Sequence, residues 1–454
     1  MKSIYNALPN FLQDAAVSIV GWQQKRKRYD KHFHQKLEEY IERDSISKDK
    51  LFEYQRTKLR RALEQASNTP YYSKIFEDMG AHWSELTDLE SFAKIPLTYK
   101  TDVAKNPTLF MPRAAKKGDI QISTSGTTGQ SLSFNASQDF DSEQWVVWWR
   151  YRYRFGINLG TKCALFSSTP IIPPTENTRF WRRNSAYNEY RFSVFHISDK
   201  TVKSYVDALN SIQAPWIHGN PSAIALLAQL ITKNSLRLKY RPRWLSIGSE
   251  NLQPWQAAAI ENVFGVKPIQ HYGLMEGVSN ISQCRCGKLH VDEDFAYTEF
   301  VKNEGSDSFT IVGTAFHNDA FSLLRYVTGD LATPDTTKII CNCGFNGRLV
   351  SAIDGRQTDY ITMPNGERVA SLAGPLHSTN GLAEAQIFQD NTGALTIRYV
   401  PTTDWMDSNI ESIERKMRDR IGSEIKITFQ KIDAVERTSR GKIKLVISEF
   451  EPHI

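Results

Sequence analysis

The stretch STSGTTGQS, from Ser123 to Ser131, consists of small hydroxyl residues and glycine except for Gln130. Short alternating runs, DIQI before it and LSF after it, indicate that strands flank it. A flexible hairpin loop accounts for such a composition, and so does a phosphate-binding loop, in which backbone N–H groups and hydroxyls surround anionic oxygens. The two common nucleotide-loop templates do not apply, because no Lys follows Gly129 and the next element is a predicted strand rather than a helix.

Four later stretches place polar or charged residues where predicted elements end or turn. QHYGLMEG ends a strand and puts Tyr272 four residues before Glu276, and LRYVTGDLA puts Asp330 in a tight turn. IDGRQTDYI contains Arg356 at a predicted domain boundary, and ERTSRGKIK puts Lys442 in a glycine-containing turn. Taken singly, these stretches are explained by a strand end, a turn, a linker and a hairpin without any chemistry.

Four of the five cysteines form two Cys-x-Cys pairs, CRC at Cys284 and Cys286 and CNC at Cys341 and Cys343. In a large chain whose N-terminus does not fit a signal peptide, such pairing predicts a metal site rather than disulfides. The fifth, Cys163 in KCALFS, is predicted to be a buried strand residue.

The elements that would position these residues are predicted from periodicity and helix caps. Between about residues 120 and 350, short strands alternate with helices such as the one opened by Asn220 and Pro221, which predicts an α/β layered domain. A second helix would begin near Pro254 and end before Gly265, and an earlier one, within residues 35–66, would be stopped by Pro70.

After Gly355 the pattern changes to two strands, an amphipathic helix and further strands, a β-β-α-β order. The apolar positions of that helix, Ile410, Ile413, Met417 and Ile421, are predicted to face inward. We therefore predict a large N-terminal α/β domain over residues 1–354 and a small, mobile α+β domain over residues 355–454.

The composition is that of a globular protein, with 454 residues, 40% apolar and 23% charged. The net charge of +6 is a mild basic bias, and we expect no nucleic-acid partner. No run reaches the ~18 apolar residues of a membrane span. The basic run Lys25–Arg28 follows an apolar segment, the reverse of a signal peptide, so we expect a cytoplasmic chain. We expect this segment to be a helix packed on its own domain; the alternative is a peripheral helix on anionic lipid.

In this order, the motifs STSGTTG, HYGLMEG, TGDLA, GRQTDYI and RTSRGK resemble the adenylate-forming superfamily, in its phenylacetate–CoA ligase branch. The whole chain is similar to the CapK-like proteins of that branch, which are associated with surface polysaccharide biosynthesis. The resemblance implies an ATP-dependent, AMP-forming ligase that activates a carboxylic acid as an acyl-adenylate and passes the acyl group to coenzyme A. It also implies that residues 1–354 hold the ATP, acid and zinc sites and residues 355–454 the catalytic lysine.

The resemblance assigns a role to each motif. The loop would hold the β- and γ-phosphates of ATP with Ser125, Gly126, Thr127, Thr128 and Gly129. Tyr272, followed by Gly273, would stack on adenine, and Asp330 would bind the ribose hydroxyls. Glu276 would ligate Mg²⁺, a cation that prefers oxygen ligands. Arg356 would lie near the ribose and the domain hinge, and Lys442 would bridge the reacting carboxylate and the α-phosphate.

The branch also contains structural zinc sites built from a Cys, a His and a Cys-x-Cys pair. Here this implies Cys284, His290, Cys341 and Cys343 as zinc ligands, with Cys286 in place of His290 as the alternative. A tetrahedral site closed by four such ligands leaves no position for catalysis.

Two departures from the family pattern are Thr358, where relatives often have Asp, and Leu132, where many have Lys. Two alternative functions stay open: transfer to an amine or hydroxyl acceptor, such as an amino acid or sugar, and a non-catalytic scaffold with the same fold. Arg437, Arg440 and Lys444 are candidates for the 3′-phosphate of coenzyme A or for a solvated hairpin face. The partners expected are a small carboxylic acid and an acyl acceptor, for a monomer or homodimer.

Overall fold

The computed structural model of the chain describes residues 2–113, 120–123, 132–167, 169–173, 175–303, 309–337, 341–356, 361–364, 368–369, 376, 379, 381–402, 404–436 and 444–450. These residues divide into two compact units. Unit 1 contains residues 1–24, 159–270 and 355–454, and unit 2 contains residues 25–158 and 271–354. The predicted domains 1–354 and 355–454 stay a prediction.

Unit 1 contains a largely parallel sheet whose strand order is β8-β7-β6-β3-β5-β4. Its strands are β3 Cys163–Ser167, β4 Trp181–Asn184, β5 Glu189–Ser193, β6 Trp216–Gly219, β7 Trp244–Ile247 and the start of β8 Pro268–Gly273. Its helices are α1 Lys2–Ala7, the first part of α2 Asn10–Arg28, α9 Val202–Ile212, α10 Pro221–Lys233 and α11 Pro254–Phe264. Only β4 runs antiparallel to its neighbour among these strands.

The crossover helices of unit 1 begin and end where the sequence predicts. Asn220 precedes α10, and Pro221 is its first residue. Proline suits this position because an N–H there would have no partner within the helix. Helix α11 begins at Pro254 and ends before Gly265, which has φ of 71°, a left-handed conformation that favours glycine. Cys163 is buried in β3, as predicted. Leu227, Ile217 and Leu245 belong to the apolar core shared by helices and strands.

The last part of unit 1 is a four-stranded sheet of order β19-β18-β17-β20 with one helix. Its elements are β17 Leu382–Gln389, β18 Leu395–Pro401, α12 Ser408–Ile421, β19 Ile427–Lys431 and β20 Val446–Ser448. Ile413, Met417 and Ile421 are buried in its core, and Ile410 packs against that core. A short pair, β15 Ile361–Thr362 and β16 Arg368–Val369, precedes it. The predicted fold class, α/β with a smaller α+β part, is confirmed.

Unit 2 combines helices with a mainly antiparallel sheet of order β11-β12-β13-β14-β10-β9-β8. Its helices are the end of α2, α3 Lys31–Arg43, α4 Lys48–Ser67, α5 Pro70–Asp78, α6 Leu89–Phe92, α7 Lys100–Lys105 and α8 Gln138–Arg154. Its strands are β1 Ile120–Ser123, β2 Ser133–Ala136, the end of β8, β9 Asn280–Gln283, β10 Leu289–Val291, β11 Ala296–Lys302, β12 Phe309–Ala315, β13 Tyr326–Pro334 and β14 Leu349–Arg356, whose last two residues belong to unit 1.

Two local predictions differ from the structure. Pro70 follows the end of α4 but does so as the first residue of α5, a position that suits its fixed φ. Asp330 lies inside β13 rather than in a separate turn, because the register between β12 and β13 shifts and forms a bulge there. Among the described residues, the structure contains no helix that is both long and apolar enough to cross a membrane.

Helices α3 and α8 enclose a buried charged cluster in unit 2. Lys36 Nζ lies 2.8 Å from Glu143 Oε1, and His317 Nδ1 lies 3.5 Å from the same oxygen. Burial opposes ionisation of Glu143, but His317 and Lys36 favour it and hold the pKa of Glu143 at about 2. Burial disfavours the imidazolium and lowers the pKa of His317 to about 4, although Glu143 acts in the opposite direction.

The His317 side chain, which is 7% exposed, makes the free energy of unfolding dependent on pH. Between pH 6.5 and 4 the unfolded chain takes up a proton at this histidine and the folded chain does not, so the stability falls as the pH falls through this window. We expect this residue to contribute up to ~3 kcal/mol to the loss. Denaturant unfolding of His317→Gln should show a flatter pH dependence than the wild type. The matched control is His82→Gln on the exposed surface, and an equal flattening in both variants would contradict the assignment.

Candidate functional site

The end of strand β8 brings two predicted nucleotide-binding residues together. The hydroxyl of Tyr272 donates a hydrogen bond to Oδ2 of Asp330, 2.9 Å away. Tyr272 packs against the apolar cluster that contains Ile281 and Ile311. The aromatic ring is half-buried and the carboxylate is buried, so both have a defined place before any ligand binds.

The bulge in β13 positions the Asp330 carboxylate. Gly329 has φ of 75°, which is the left-handed region, so a glycine suits this point of the strand. The hydroxyl of Thr328 donates to the carbonyl of Ile311 at 2.7 Å and accepts the N–H of Asp330 at 3.1 Å. These bonds fix the backbone on which the carboxylate stands.

A tight turn after β8 places Glu276. The Gly277 N–H donates to the Leu274 carbonyl at 3.1 Å, and the Gln144 side-chain amide of α8 donates to the same carbonyl at 2.7 Å. Gly277 has φ of 67°, and a Cβ on it would lie 2.2 Å from the ring of Phe140, so any larger residue would displace the turn. Glu276 is buried beside it, only 6% exposed.

Gly273 allows the chain to pass close to its neighbours. A Cβ there would lie 2.6 Å from Asn280 Oδ1, which is too close for a real contact, and 3.2 Å from Trp148 Nε1, which is tighter than most contacts. His271 stacks on Tyr151 with a centroid distance of 4.9 Å. Packing therefore constrains the residues of HYGLMEG in addition to the roles predicted for Tyr272 and Glu276.

The glycine-rich loop connects the two strands of a hairpin. β1 and β2 pair antiparallel from Ile120–Ala136 to Ser123–Ser133, and the hydroxyls of Ser123 and Ser133 lie 2.7 Å apart. The predicted phosphate-binding residues lie outside the described part of the chain: Ser125, Gly126, Thr127, Thr128 and Gly129. Lys442 also lies outside it, as do Thr358, Arg437 and Arg440, and of Arg356 only the backbone, at the end of β14, is described.

Four side chains that the sequence proposes as metal ligands converge. The ligand atoms of Cys284, His290, Cys341 and Cys343 all lie within 4.8 Å of one another. Cys284 Sγ is 3.7 Å from Cys341 Sγ, and Cys343 Sγ is 3.4 Å from His290 Nε2. Tetrahedral zinc with Zn–S of about 2.3 Å would place two sulfurs about 3.8 Å apart and a sulfur and a nitrogen about 3.6 Å apart. The donor set and its spacing therefore fit a closed zinc site.

A backbone carbonyl selects the tautomer of His290. Nδ1 lies 2.9 Å from the carbonyl oxygen of Gly347, which can only accept, so Nδ1 carries the proton. This leaves the lone pair on Nε2, the atom that faces Cys343. Burial lowers the pKa of His290 and so favours the neutral imidazole that a metal requires.

Cys286 lies on the exposed side of the cluster and is not one of the four converging residues. Its thiol still interacts with those of Cys284 and Cys341. The geometry favours His290 over Cys286 as the fourth ligand.

A buried ion-pair network lies behind this cluster. Arg150 is fully buried and donates to Asp292 at 2.8 Å and to Asp294 at 2.7 and 2.8 Å. Burial disfavours ionisation of Asp294, but Arg150 outweighs it and lowers the pKa of Asp294 to about 2. Arg154, which stacks on Phe345 at 4.0 Å, binds Asp44.

Sequence reasoning missed the residues that support both sites. Gly347 acts through its backbone carbonyl and Gln144 through a side chain on a helix distant in the sequence, so no local pattern marks them. Thr328 belongs to the TGDLA motif, but the motif does not indicate that its hydroxyl donates to the Ile311 carbonyl. The Tyr272–Asp330 bond joins residues 58 positions apart and was equally unmarked. The DEDF run after His290 contains two acids of the network and was a detectable sign of a buried cation partner.

Comparisons with known proteins relate this chain to CapK and to phenylacetate–coenzyme A ligases. The CapK C-terminal domain family matches residues 361–449. The chain is 23% identical over 458 residues to Protein CapK of Staphylococcus aureus, covering 99% of this chain and 100% of that protein. It is 24% identical over 337 residues to a phenylacetate–coenzyme A ligase of Pseudomonas putida, covering 70% and 73% of the two chains.

A solved structure shares the fold. A 2-hydroxyisobutyryl-CoA ligase in the postadenylation state, in complex with an acyl-AMP, superposes with a TM-score of 0.67 at 18% identity. The match covers 90% of this chain and 91% of that one. At this identity the likeness concerns the fold.

The Tyr272–Asp330 hydrogen bond can be tested by removing one hydroxyl. Tyr272→Phe keeps the ring and its packing but releases the Asp330 carboxylate, so we expect ATP affinity to fall about tenfold. Isothermal titration with ATP and Mg²⁺ measures the change. Tyr99→Phe, at an exposed hydroxyl, is the control and should bind like the wild type. Unchanged affinity in Tyr272→Phe and in Asp330→Asn would show that this pair does not serve nucleotide binding.

Proposed function

We infer that this member of the adenylate-forming superfamily, in the branch of the phenylacetate–coenzyme A ligases and CapK, activates a carboxylic acid with ATP and transfers the acyl group to coenzyme A. The observation that carries the proposal is the hydrogen-bonded pair of Tyr272 and Asp330, next to the turn with Glu276, in a chain that matches such ligases over most of its length. We also propose that the protein has a role in surface polysaccharide biosynthesis, which the likeness to CapK suggests.

The described residues bind the nucleotide in this proposal. The Tyr272 ring offers a flat apolar surface to adenine while its hydroxyl orients Asp330. The Asp330 carboxylate accepts hydrogen bonds from the two ribose hydroxyls, with a geometry fixed by the bulge. Glu276 would hold Mg²⁺, which supplies positive charge to the phosphates.

Residues outside the described part supply the phosphate contacts and the charge at the reacting centre. The amides and hydroxyls of residues 125–129 would bind the β- and γ-phosphates. A carboxylate oxygen of the acid forms a bond to the α-phosphorus, and the bond from that phosphorus to the pyrophosphate oxygen breaks. Lys442 would offset the negative charge that builds up on the entering and α-phosphate oxygens, with Arg356 near the ribose. The thiolate of coenzyme A then attacks the acyl carbon, and AMP leaves.

We propose that two consecutive segments of the chain contribute different parts of the active site. Residues 1–354 would hold the nucleotide, acid and zinc sites, and residues 355–454 would contribute Lys442. Such a reaction uses cytoplasmic ATP and coenzyme A, so we propose that the protein acts in the cytoplasm.

We also propose that Cys284, His290, Cys341 and Cys343 hold one structural Zn²⁺. All four coordination positions would be filled by protein, so the ion would fold the two Cys-x-Cys segments together and take no part in the reaction. Burial raises the pKa of Cys343 to about 12, so this thiol stays protonated at neutral pH until a cation displaces its proton.

The ligase proposal predicts two measurable half-reactions. Purified protein should catalyse acid-dependent exchange of pyrophosphate into ATP for one member of a carboxylate panel that includes uronic and amino acids. Coenzyme A should then convert the bound adenylate to a thioester. Lys442→Ala should slow exchange on the order of 10²-fold, because a charge partner of the transition state is lost, and should leave ATP affinity nearly unchanged.

The neighbouring Lys444→Ala is the matched control for charge. An equal loss of exchange in both variants would remove the special role of Lys442. Exchange without thioester formation, together with transfer to an amine or sugar, would replace coenzyme A as the acceptor.

The zinc proposal predicts one metal ion for each chain. Cys341→Ser should lose the ion and reduce the free energy of unfolding by at least ~3 kcal/mol, because metal binding is coupled to folding. Elemental analysis and thermal unfolding measure the two effects. Cys286→Ser should retain both the metal and the stability of the wild type. Metal loss in Cys286→Ser but not in His290→Ala would show that Cys286, rather than His290, is the fourth ligand. Wild-type protein without metal would contradict the proposal.

A further inference from the structure

Helix α2 has its polar and apolar sides reversed relative to an ordinary surface helix. At 3.6 residues per turn, its residues divide into two halves. One half is mainly polar and contains Gln13, Asp14, Val17, Ser18 and Gly21, and the other is mainly apolar and contains Phe11, Leu12, Ile19, Val20, Trp22 and Gln23. Surface helices of globular proteins normally turn the apolar half inward.

The polar half is the one that contacts the protein. Gln13 accepts from Arg182 Nε at 2.7 Å, and Asp14 binds Arg179 at 2.8 Å. Asp14 also accepts the backbone N–H of Arg183 at 2.9 Å, and Ser18 donates to the Arg183 carbonyl at 3.4 Å. These bonds attach the helix to strand β4 and the loop before it through polar groups.

Gly21 brings the helix close to β4. A Cβ at this position would lie 2.4 Å from Asn184 Oδ1, so the approach depends on glycine. Gln13 and Gly21 are the buried residues of the helix. Its orientation is thus set by specific contacts along its polar half.

The apolar half points to solvent. Phe11 is 68% exposed and Ile19 59% exposed, and the exposed side chains of Leu12, Val20 and Trp22 complete a stripe along the helix. Large apolar side chains in one contiguous stripe indicate an interaction surface, whereas single exposed ones do not.

Positive charge continues the stripe. Lys25, Arg26, Lys27 and Arg28 occupy the last turn of the same helix. Arg26 and Lys27 are exposed, and helical spacing puts Arg26 one turn after Trp22 and Lys27 two turns after Val20. Apolar and cationic side chains therefore share one side of α2.

We propose that this stripe is a docking surface for an anionic lipid bilayer, with α2 lying parallel to the membrane plane. Phe11, Ile19 and Trp22 would enter the boundary between headgroups and acyl chains, and Arg26 and Lys27 would bind anionic headgroups. A second copy of the chain is a poorer occupant for two reasons. The cations of two such helices would repel each other, and the stripe is only ~18 Å long and one helix wide, far below the ~800 Å² that each partner buries in a stable dimer.

Vesicle co-sedimentation of the full-length protein tests the proposal. The protein should bind vesicles of phosphatidylcholine mixed with phosphatidylglycerol more strongly than vesicles of phosphatidylcholine alone, and added salt should weaken the difference. Phe11→Gln with Ile19→Gln should reduce binding at least about tenfold, since it removes the inserted apolar groups. Arg26→Gln with Lys27→Gln should reduce binding to the anionic vesicles about tenfold and leave the weak binding to phosphatidylcholine unchanged.

Matched controls lie elsewhere on the surface. Phe52→Gln changes an exposed phenylalanine of α4, and Arg237→Gln with Lys239→Gln removes two exposed cations; both should bind as the wild type does. All substituted side chains are exposed, so circular dichroism and thermal unfolding should match the wild type. The proposal would be overturned if the wild-type protein bound neither vesicle type, or if the α2 variants bound vesicles as strongly as the wild type. A smaller mass of Phe11→Gln with Ile19→Gln in light scattering, without a change in vesicle binding, would assign the stripe to contacts between copies and overturn it too.

Discussion

The buried guanidinium of Arg150 is the constraint on which much of unit 2 depends. It has no access to water, and its charge is balanced by Asp292 and Asp294 in the segment between β10 and β11. Removing one member of such a pair leaves an uncompensated buried charge, which costs about 3–5 kcal/mol. Asp292 also accepts from Asn280 at 2.7 Å, and Asn280 lies against Gly273. One ion pair thus ties helix α8 to the strand end that carries Tyr272 and to the segment that follows His290.

The fold was predictable where a local rule operates on neighbouring residues. Pro221, Pro254 and Gly265 define helix ends by their backbone chemistry alone, and the period of Ile413, Met417 and Ile421 defines the buried side of α12. The bulge at Asp330 was not predictable, because it depends on the register of β13 against β12, which no stretch of either strand specifies alone.

The sites show the same division. The two Cys-x-Cys pairs were enough to predict a metal site, and the structure places the thiols of Cys284, Cys341 and Cys343 together. The resemblance implied His290 with Cys286 as the alternative, and the structure favours His290 because it, and not Cys286, converges with the other three ligands. The phosphate-binding residues 125–129 and Lys442 lie outside the described part of the chain and stay assignments by resemblance.

The contacts of α2 with Arg183 have a consequence for solubility during folding. β4 is the last strand of its sheet, and the N–H and C=O of Arg183 on its outer side are occupied by Asp14 and Ser18. A strand edge left open is a template for pairing with other chains and for aggregation. Helix α2 therefore covers the edge of β4 at Arg183 and keeps these backbone groups from pairing with another chain. Release of α2 from β4 would expose the backbone groups of Arg183 at this strand edge.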